Sequence, residues 1–278
     1  MLRFLFWNLR KRPIIDLVGT IVADRGIDVV LLAEVPTSPA ILAAELSRQA
    51  QRPYSWVISP SRRISIYVAF PSEWVKPIRD GGDLSMHHVR APLFEDFLLA
   101  VVHLPSKLYA SSEDQLLACV RAAKHVEEAE QKIGHRRTIV VGDFNLNPFE
   151  PGLTAADAFN AVMDKAIARR SFRVVQGVRR PFFYNPLWSR LGDTSVGPPG
   201  TYYYSSNAQT CYYWNTFDQV LVRPDLLSGL PDIELEVLTT TPARALTTPE
   251  GHPSREGASD HLPITFRLQL PMRSRDAD

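Results

Sequence analysis

The chain has 278 residues, 45% of them hydrophobic and 22% charged, an ordinary globular composition. Its 31 Lys and Arg balance its 30 Asp and Glu, which excludes a strongly basic nucleic-acid coat and a strongly acidic solvating chain but leaves room for a local basic cleft. Two cysteines, Cys119 and Cys211, cannot make a disulfide framework or a cysteine-rich zinc site, and two buried free thiols are expected.

In chain order, Leu2, Phe4 and Phe6 open a strand almost at residue 1. Leu17, Ile21 and Val22 are spaced for a helix over 16–25, stopped by Gly26. Residues 28–35 form a nearly continuous apolar run, the mark of a strand buried on both faces. A helix over 39–48 has Pro39 in its first turn. Strands are expected at 54–59, 64–70 and 97–103. Ser112 and Gln115 have the spacing of a capping box and open a helix to about Lys132, stopped by Gly134. A β-branched strand over 138–141, a helix over 154–167 and strands over 217–222 and 264–270 complete the series. Residues 178–216 are rich in proline and aromatic residues and read as a long loop or insertion within one domain spanning 1–278. No signal-peptide pattern and no apolar run of membrane-spanning length is present, so a soluble cytoplasmic protein without a membrane anchor is expected.

The chemistry is suggested by polar residues at the ends of apolar strands. Asn8 follows the first strand, Glu34 ends the second, and His103 ends the run Leu98-Leu99-Ala100-Val101-Val102. Asp143 and Asn145 follow Ile139-Val140-Val141-Gly142, Asp218 precedes Val220-Leu221-Val222, and Asp260-His261 precede Ile264. Any one of these has a plain structural reading as a turn, a solvated strand end or a satisfied core histidine. Together they bring several acids to one edge, where burial without a counter-charge is costly and a divalent cation offsets the repulsion. Oxygen donors plus histidine, without cysteine, suit Mg²⁺, with Mn²⁺ as a substitute.

These runs, with Trp7-Asn8, Leu32-Ala33-Glu34-Val35, Val102-His103-Leu104, Gly142-Asp143-Phe144-Asn145, Phe217-Asp218 and Ser259-Asp260-His261-Leu262-Pro263, resemble the endonuclease/exonuclease/phosphatase superfamily with the DNase I-like fold, in the family's order and over nearly the whole chain. The resemblance implies an α/β fold, a four-layer sandwich of two packed mixed β-sheets flanked by helices, and a divalent-metal-dependent phosphodiester hydrolase. It implies Glu34 as the main metal ligand, helped by Asn8 and Asp260. Asp143 would position or deprotonate the attacking water, Asn145 would hold a phosphate oxygen, and His261 would contact the scissile phosphate with Asp218 fixing its tautomer. His103 matches a histidine of the DNase and sphingomyelinase branches. Gln219 stands where many relatives have histidine.

The substrate is less legible. Basic residues at Arg10-Lys11-Arg12, Arg62-Arg63 and His87-His88-Val89-Arg90, and the aromatic cluster at 202–204 and 212–214, favour a nucleic acid, DNA ahead of RNA. Short basic runs are also ordinary solvated faces, and aromatic clusters ordinary hairpin packing. A phosphatase or phosphodiesterase acting on a lipid head group or a small phosphate ester is the alternative, and an inactive scaffold of the same fold is a third reading. The intact set of site residues argues against the last.

Overall fold

The computed structural model describes residues 1–59, 63–92, 94–227 and 235–273. Arg62, one of the expected basic residues, lies outside them. The first strands and helices fall where the sequence places them: β1 (Leu2–Asn8), α1 (Ile15–Arg25), β2 (Val29–Ala33), α2 (Pro39–Ala50), β3 (Ser55–Val57) and β4 (Ile64–Val68). Gly26 closes α1 in the left-handed conformation, φ 59°, which suits glycine because it has no Cβ. A hairpin then follows that the apolar pattern did not announce, β5 (Val75–Gly81) and β6 (Leu84–Val89). It carries Lys76, Arg79, His87 and His88, which mask its alternation. Then come β7 (Phe97–His103), α3 (Ser112–Ile133) and β8 (Thr138–Asp143).

The capping box of α3 is one residue earlier than expected. The Ser111 hydroxyl accepts from the Asp114 N–H at 3.1 Å, and the Asp114 carboxylate accepts from the Ser111 N–H at 3.2 Å. The helix expected over 154–167 does not form. It is replaced by the short turns Pro151–Thr154 and Lys165–Ala168 around the strand Ala161–Val162. Asn160, at φ 47°, breaks the helical path, and its side-chain amide donates to the carbonyls of Arg180 and Pro181. The 178–216 region divides into several elements: Val178–Pro181 pairs with Phe172–Val175, Phe183–Tyr184 joins a main sheet, and Tyr202–Tyr203 pairs with Trp214–Asn215.

Two large mixed sheets result, flanked by few helices. The six-stranded sheet has the order Leu235–Val237, Ile264–Leu268, β1, β2, β4, β3. The seven-stranded sheet runs β5, β6, β7, β8, Asp218–Val222, Phe183–Tyr184, Ala161–Val162. Period-2 alternation sorts the side chains of the central strands. Leu99, Val101, Ile139, Val141, Val220 and Val222 join the core with Phe4, Phe6 and β2. Leu98, Ala100, Val102, Val140 and Leu221 face the other way and pack against Cys119, Ala122, Val126 and Ala129 of α3. Cys119 is buried and free as expected, whereas Cys211 is free but only half-buried, because it lies in the loop of the Tyr202–Asn215 hairpin. No helix among the described residues is long and apolar enough to cross a membrane.

Candidate active site

Strand direction brings the polar ends together. In the seven-stranded sheet β7 and β8 are parallel, so both end at one edge, with His103 beside Asp143. The strand Asp218–Val222 is antiparallel to β8 and therefore starts at that edge, with Asp218 opposite Asp143. The six-stranded sheet repeats the device. Parallel β1 and β2 end at Asn8 and Ala33, just before Glu34, and antiparallel Ile264–Leu268 begins there, just after Asp260 and His261. Two strands ending and one beginning in each sheet thus bring these chain ends to one edge.

Gly142 makes the close approach of β7 and β8 possible. A Cβ there would lie 1.9 Å from the Val102 carbonyl oxygen. Glu34 and Asn145 both take the left-handed conformation, φ 52°, uncommon for a glutamate and the kind of backbone strain that collects at functional sites.

A continuous chain of contacts links the side chains. Glu34 Oε1 lies 3.5 Å from His103 Nε2, which lies 3.8 Å from Asp143 Oδ2. Asn8 Nδ2 donates to the same Asp143 Oδ2 at 3.0 Å, and the Asn145 N–H donates to Asp143 Oδ1 at 2.9 Å. His261 Nε2 stands 3.9 Å from Asp143 Oδ2, while its Nδ1 contacts Asp218 Oδ2 at 2.8 Å. Asp260, expected to serve as a metal ligand, is held by Arg10 Nε at 3.1 Å.

Neighbouring groups fix these residues. The Ser259 hydroxyl donates to the Asn8 carbonyl at 2.7 Å and accepts from the His261 N–H at 3.3 Å. The Trp7 indole donates to the His261 carbonyl at 2.8 Å. Gln115 of α3 donates to the carbonyls of Pro105 and Asn145, and the Asn145 side chain donates to the Leu104 carbonyl at 3.0 Å, which turns that amide into the loop. Sequence reasoning missed Gln115 as a brace of this loop and Arg10 as the partner of Asp260, whereas Tyr202, expected among the stacking aromatics, stands with its ring 4.9 Å from that of His261. The Ser-Asp-His run carried a visible signal for Ser259. Gln219, where relatives have histidine, is buried away from this cluster. Its amide donates to the carbonyls of Leu146 and Thr216 and accepts from Asn185, so it braces the loops behind the site.

The electrostatics are unbalanced. Burial favours the neutral imidazole of His261, but Asp218 and Asp143, with Asp260 beyond them, outweigh it and lift its pKa to about 10, so it is protonated at neutral pH. Burial, reinforced by Asp218, raises the carboxyl of Asp143 above the usual carboxylate range against the pull of His261 and His103. Asp218 Oδ1 and His103 Nδ1 are buried without a hydrogen-bond partner. Buried acids with unspent acceptor capacity are a donor set that fits a hard divalent cation: Asp143, Asp218 and His261 converge there, Asn8 bonds to Asp143, and half-buried Glu34 is reached through His103.

A cavity of about 410 Å³ opens beside Asn145 and is lined by Lys107, Tyr202, Tyr204, Tyr212 and Phe217. A larger one, about 630 Å³, lies beside Arg3 at the opposite end of β1 and is remote from this cluster. The chemistry, rather than cavity size, locates the site. Of the basic residues expected at the rim, Arg10 reaches the site and Arg63 pairs with Asp83 near it. His87 and His88 do not reach it, because β6 runs antiparallel to β7 and buries them towards its far end, opposite Leu99 and Leu98.

The chain belongs to the Endonuclease/Exonuclease/phosphatase family, whose profile matches residues 5–261. The family's members include nucleases and phosphatases, hydrolases of phosphoester bonds that typically use divalent metals. Among solved structures, truncated Caenorhabditis elegans TDP2 is similar at 15% identity and TM-score 0.56, with 95% of this chain and 97% of that one covered. The endonuclease domain of TRAS1, a telomere-specific non-LTR retrotransposon, aligns at 13% identity and TM-score 0.52 over 97% and 99%. The mannosyl-6-phosphatase Bt3783 of Bacteroides thetaiotaomicron aligns at 14% identity and TM-score 0.57 over 97% and 100%. No curated protein matches the sequence.

Proposed function

We propose that this protein is a Mg²⁺-dependent phosphodiester hydrolase, with Mn²⁺ as a substitute, that cleaves nucleic acid, DNA ahead of RNA. The observation that carries this reading is the unbroken contact chain Glu34–His103–Asp143–His261–Asp218, which Asn145 and Tyr202 join to the wall of an aromatic-lined cavity. Glu34, Asn8 and Asp260 hold the cation, which when bound supplies charge against the phosphate oxygens and lowers the pKa of bound water.

The chain's own groups do the rest. Asp143 orients the attacking water and takes its proton, a task suited to a carboxyl whose pKa is raised. His261, protonated and held by Asp218, sets a positive charge against the non-bridging oxygens of the scissile phosphate. Asn145 orients Asp143 through its backbone N–H and lies on the cavity wall where a phosphate oxygen comes to rest. His103, between Glu34 and Asp143, is placed to contact the phosphate or assist the leaving group. Tyr202, Tyr204, Tyr212 and Phe217 offer faces for stacking a base next to the cut, and Lys107 adds a cation over Phe217.

The test is a cleavage assay on single- and double-stranded DNA and on RNA with Mg²⁺ or Mn²⁺ and with EDTA. Metal-dependent DNA cleavage is expected, and uncut nucleic acid in every metal condition overturns the nuclease reading. Turnover of inositol phosphates, sugar phosphates, nucleotides or sphingomyelin in a parallel panel would assign the phosphatase or lipid phosphodiesterase alternative instead.

A further inference from the structure

The opposite end of the seven-stranded sheet carries a second cluster of metal-ligating side chains. His88 lies near the end of β6, Asp96 in the turn entering β7, and His135 between α3 and β8. Asp96 Oδ2 is 2.5 Å from His88 Nε2 and 3.3 Å from His135 Nε2, and the two imidazole rings are 6.0 Å apart, inclined at 59°. His135 Nε2 is buried and faces the Asp96 carboxylate. The other carboxylate oxygen, Oδ1, is taken by Arg137 at 2.5 Å, and Arg137 is matched in turn by Glu95 at 3.2 Å. Two acids against one arginine leave the cluster with one net negative charge when both imidazoles are neutral.

We propose that His88 Nε2, Asp96 Oδ2 and His135 Nε2 form a zinc site at this edge, separate from the catalytic cluster. Two imidazoles and one carboxylate are a borderline-soft set that suits Zn²⁺, whereas the oxygen-rich catalytic edge suits Mg²⁺. Zinc–ligand bonds of about 2.0–2.1 Å in a tetrahedron set the donor atoms about 3.3 Å apart. The Asp96–His135 separation already has this value, and the shorter Asp96–His88 contact opens by less than about 1 Å. Arg137 orients the carboxylate from behind, as outer-shell partners do. His135 Nδ1 accepts from the Arg137 N–H at 3.2 Å. On zinc binding the Nε2 proton moves to Nδ1, and that long contact gives way to the metal bond. Asp96 and His135 are partly exposed, which leaves the fourth position to water. The ion would tie the end of the β5–β6 hairpin to the entries of β7 and β8, a structural role.

The test uses the whole chain, stripped with a chelator, dialysed and titrated with Zn²⁺ in excess Mg²⁺, so that the oxygen-rich site is already occupied. Calorimetry is expected to show a single zinc equivalent, and Co²⁺ in its place is expected to give the visible absorption of a tetrahedral ion. His135→Gln and Asp96→Asn should each weaken zinc by about 100-fold or more, while His261→Gln leaves it unchanged. Zinc should raise the melting temperature of the wild type and not that of His135→Gln. If Asp96→Asn does not fold, His135→Gln decides the matter. No zinc equivalent in Mg²⁺, or zinc bound as tightly by His135→Gln as by the wild type, overturns the proposal. Neither result bears on phosphodiester cleavage, which is read separately.

Discussion

The two ends of the seven-stranded sheet share the same strands but handle charge in opposite ways. At the candidate active site, Asp143 and Asp218 are buried with His261 and His103, Arg10 is taken by Asp260, and Asp218 Oδ1 is left without a partner. At the far end the buried and half-buried acids face guanidinium groups, although Glu95 and Asp96 share one. Asp96 has Arg137, and Glu130 of α3 has Arg223, at 2.8 Å, with both partners almost fully buried. Arg223 also donates to the Phe182 carbonyl and lies over the Phe183 ring at 3.8 Å. The Glu130–Arg223 pair is matched for stability, and the Asp96 cluster keeps one negative charge. The candidate active site gathers more acids than cations around one charged imidazole.

The largest effects that sharpen this contrast are kinetic. Asp143→Asn and His261→Gln should each lower the turnover number for a phosphodiester by about 10³-fold, while Glu130→Gln leaves it near the wild-type value in steady-state assays of the folded proteins. Stability should respond in the reverse order. Glu130→Gln leaves the Arg223 charge buried without its counter-ion, and urea titration should show a loss of about 3–5 kcal/mol. A loss under 1 kcal/mol would mean that Glu130 and Arg223 are not the matched pair described here.

Gly142→Ala is next in size. Its Cβ meets backbone rather than a movable side chain, so β7 and β8 must separate, at a cost of about 3 kcal/mol. The shift falls between His103 and Asp143, so the same variant should also lose activity.

The smallest effects are in pH dependence, measured as melting temperature in EDTA, and the two ends should differ in sign. The folded pKa of His261 is raised to about 10 from 6.5, so its contribution is complete below about pH 6.5 and is lost as the pH climbs towards 10. His261→Gln should flatten that alkaline decline. Asp96 is the reverse case. Burial works against its charge, but His88 and Arg137 outweigh it and hold its carboxyl below the usual range. Its contribution is complete above the unfolded value near 3.9 and is lost as the pH falls through the folded value. The gap between wild type and Asp96→Asn should therefore narrow in acid. A gap that widens in acid would contradict the pairing of the Asp96 carboxylate with His88 and Arg137.

Much of the catalytic end was legible in the sequence because its residues cap strongly apolar strands, where a polar group stands out. Asn8, Glu34, His103, Asp143, Asp218 and His261 were all singled out that way, and the contacts above connect them. The far end was not legible as a unit. His88 alternates with apolar residues in a strand whose polar side chains hid it, and it was read as part of a basic rim. Arg137 and Arg223 flank strands without interrupting them. The helix expected over 154–167 failed for a related reason: its apolar residues follow a helical spacing, but Asn160 is drawn to the carbonyls of Arg180 and Pro181, a partnership set in three dimensions. Tyr202 and Arg10 likewise gain their roles only once distant strands meet.

The central claim is that strand ends far apart in the chain enclose one hard cation beside the groove where phosphodiesters are cut. The dependence of DNA cleavage on Mg²⁺ concentration, compared between wild type and Glu34→Gln, tests it most directly. Cleavage that needs the metal, with the Glu34→Gln curve displaced to at least about tenfold higher Mg²⁺, is the expected result. Superimposable curves, or hydrolysis by the wild type that persists after chelation, would contradict it.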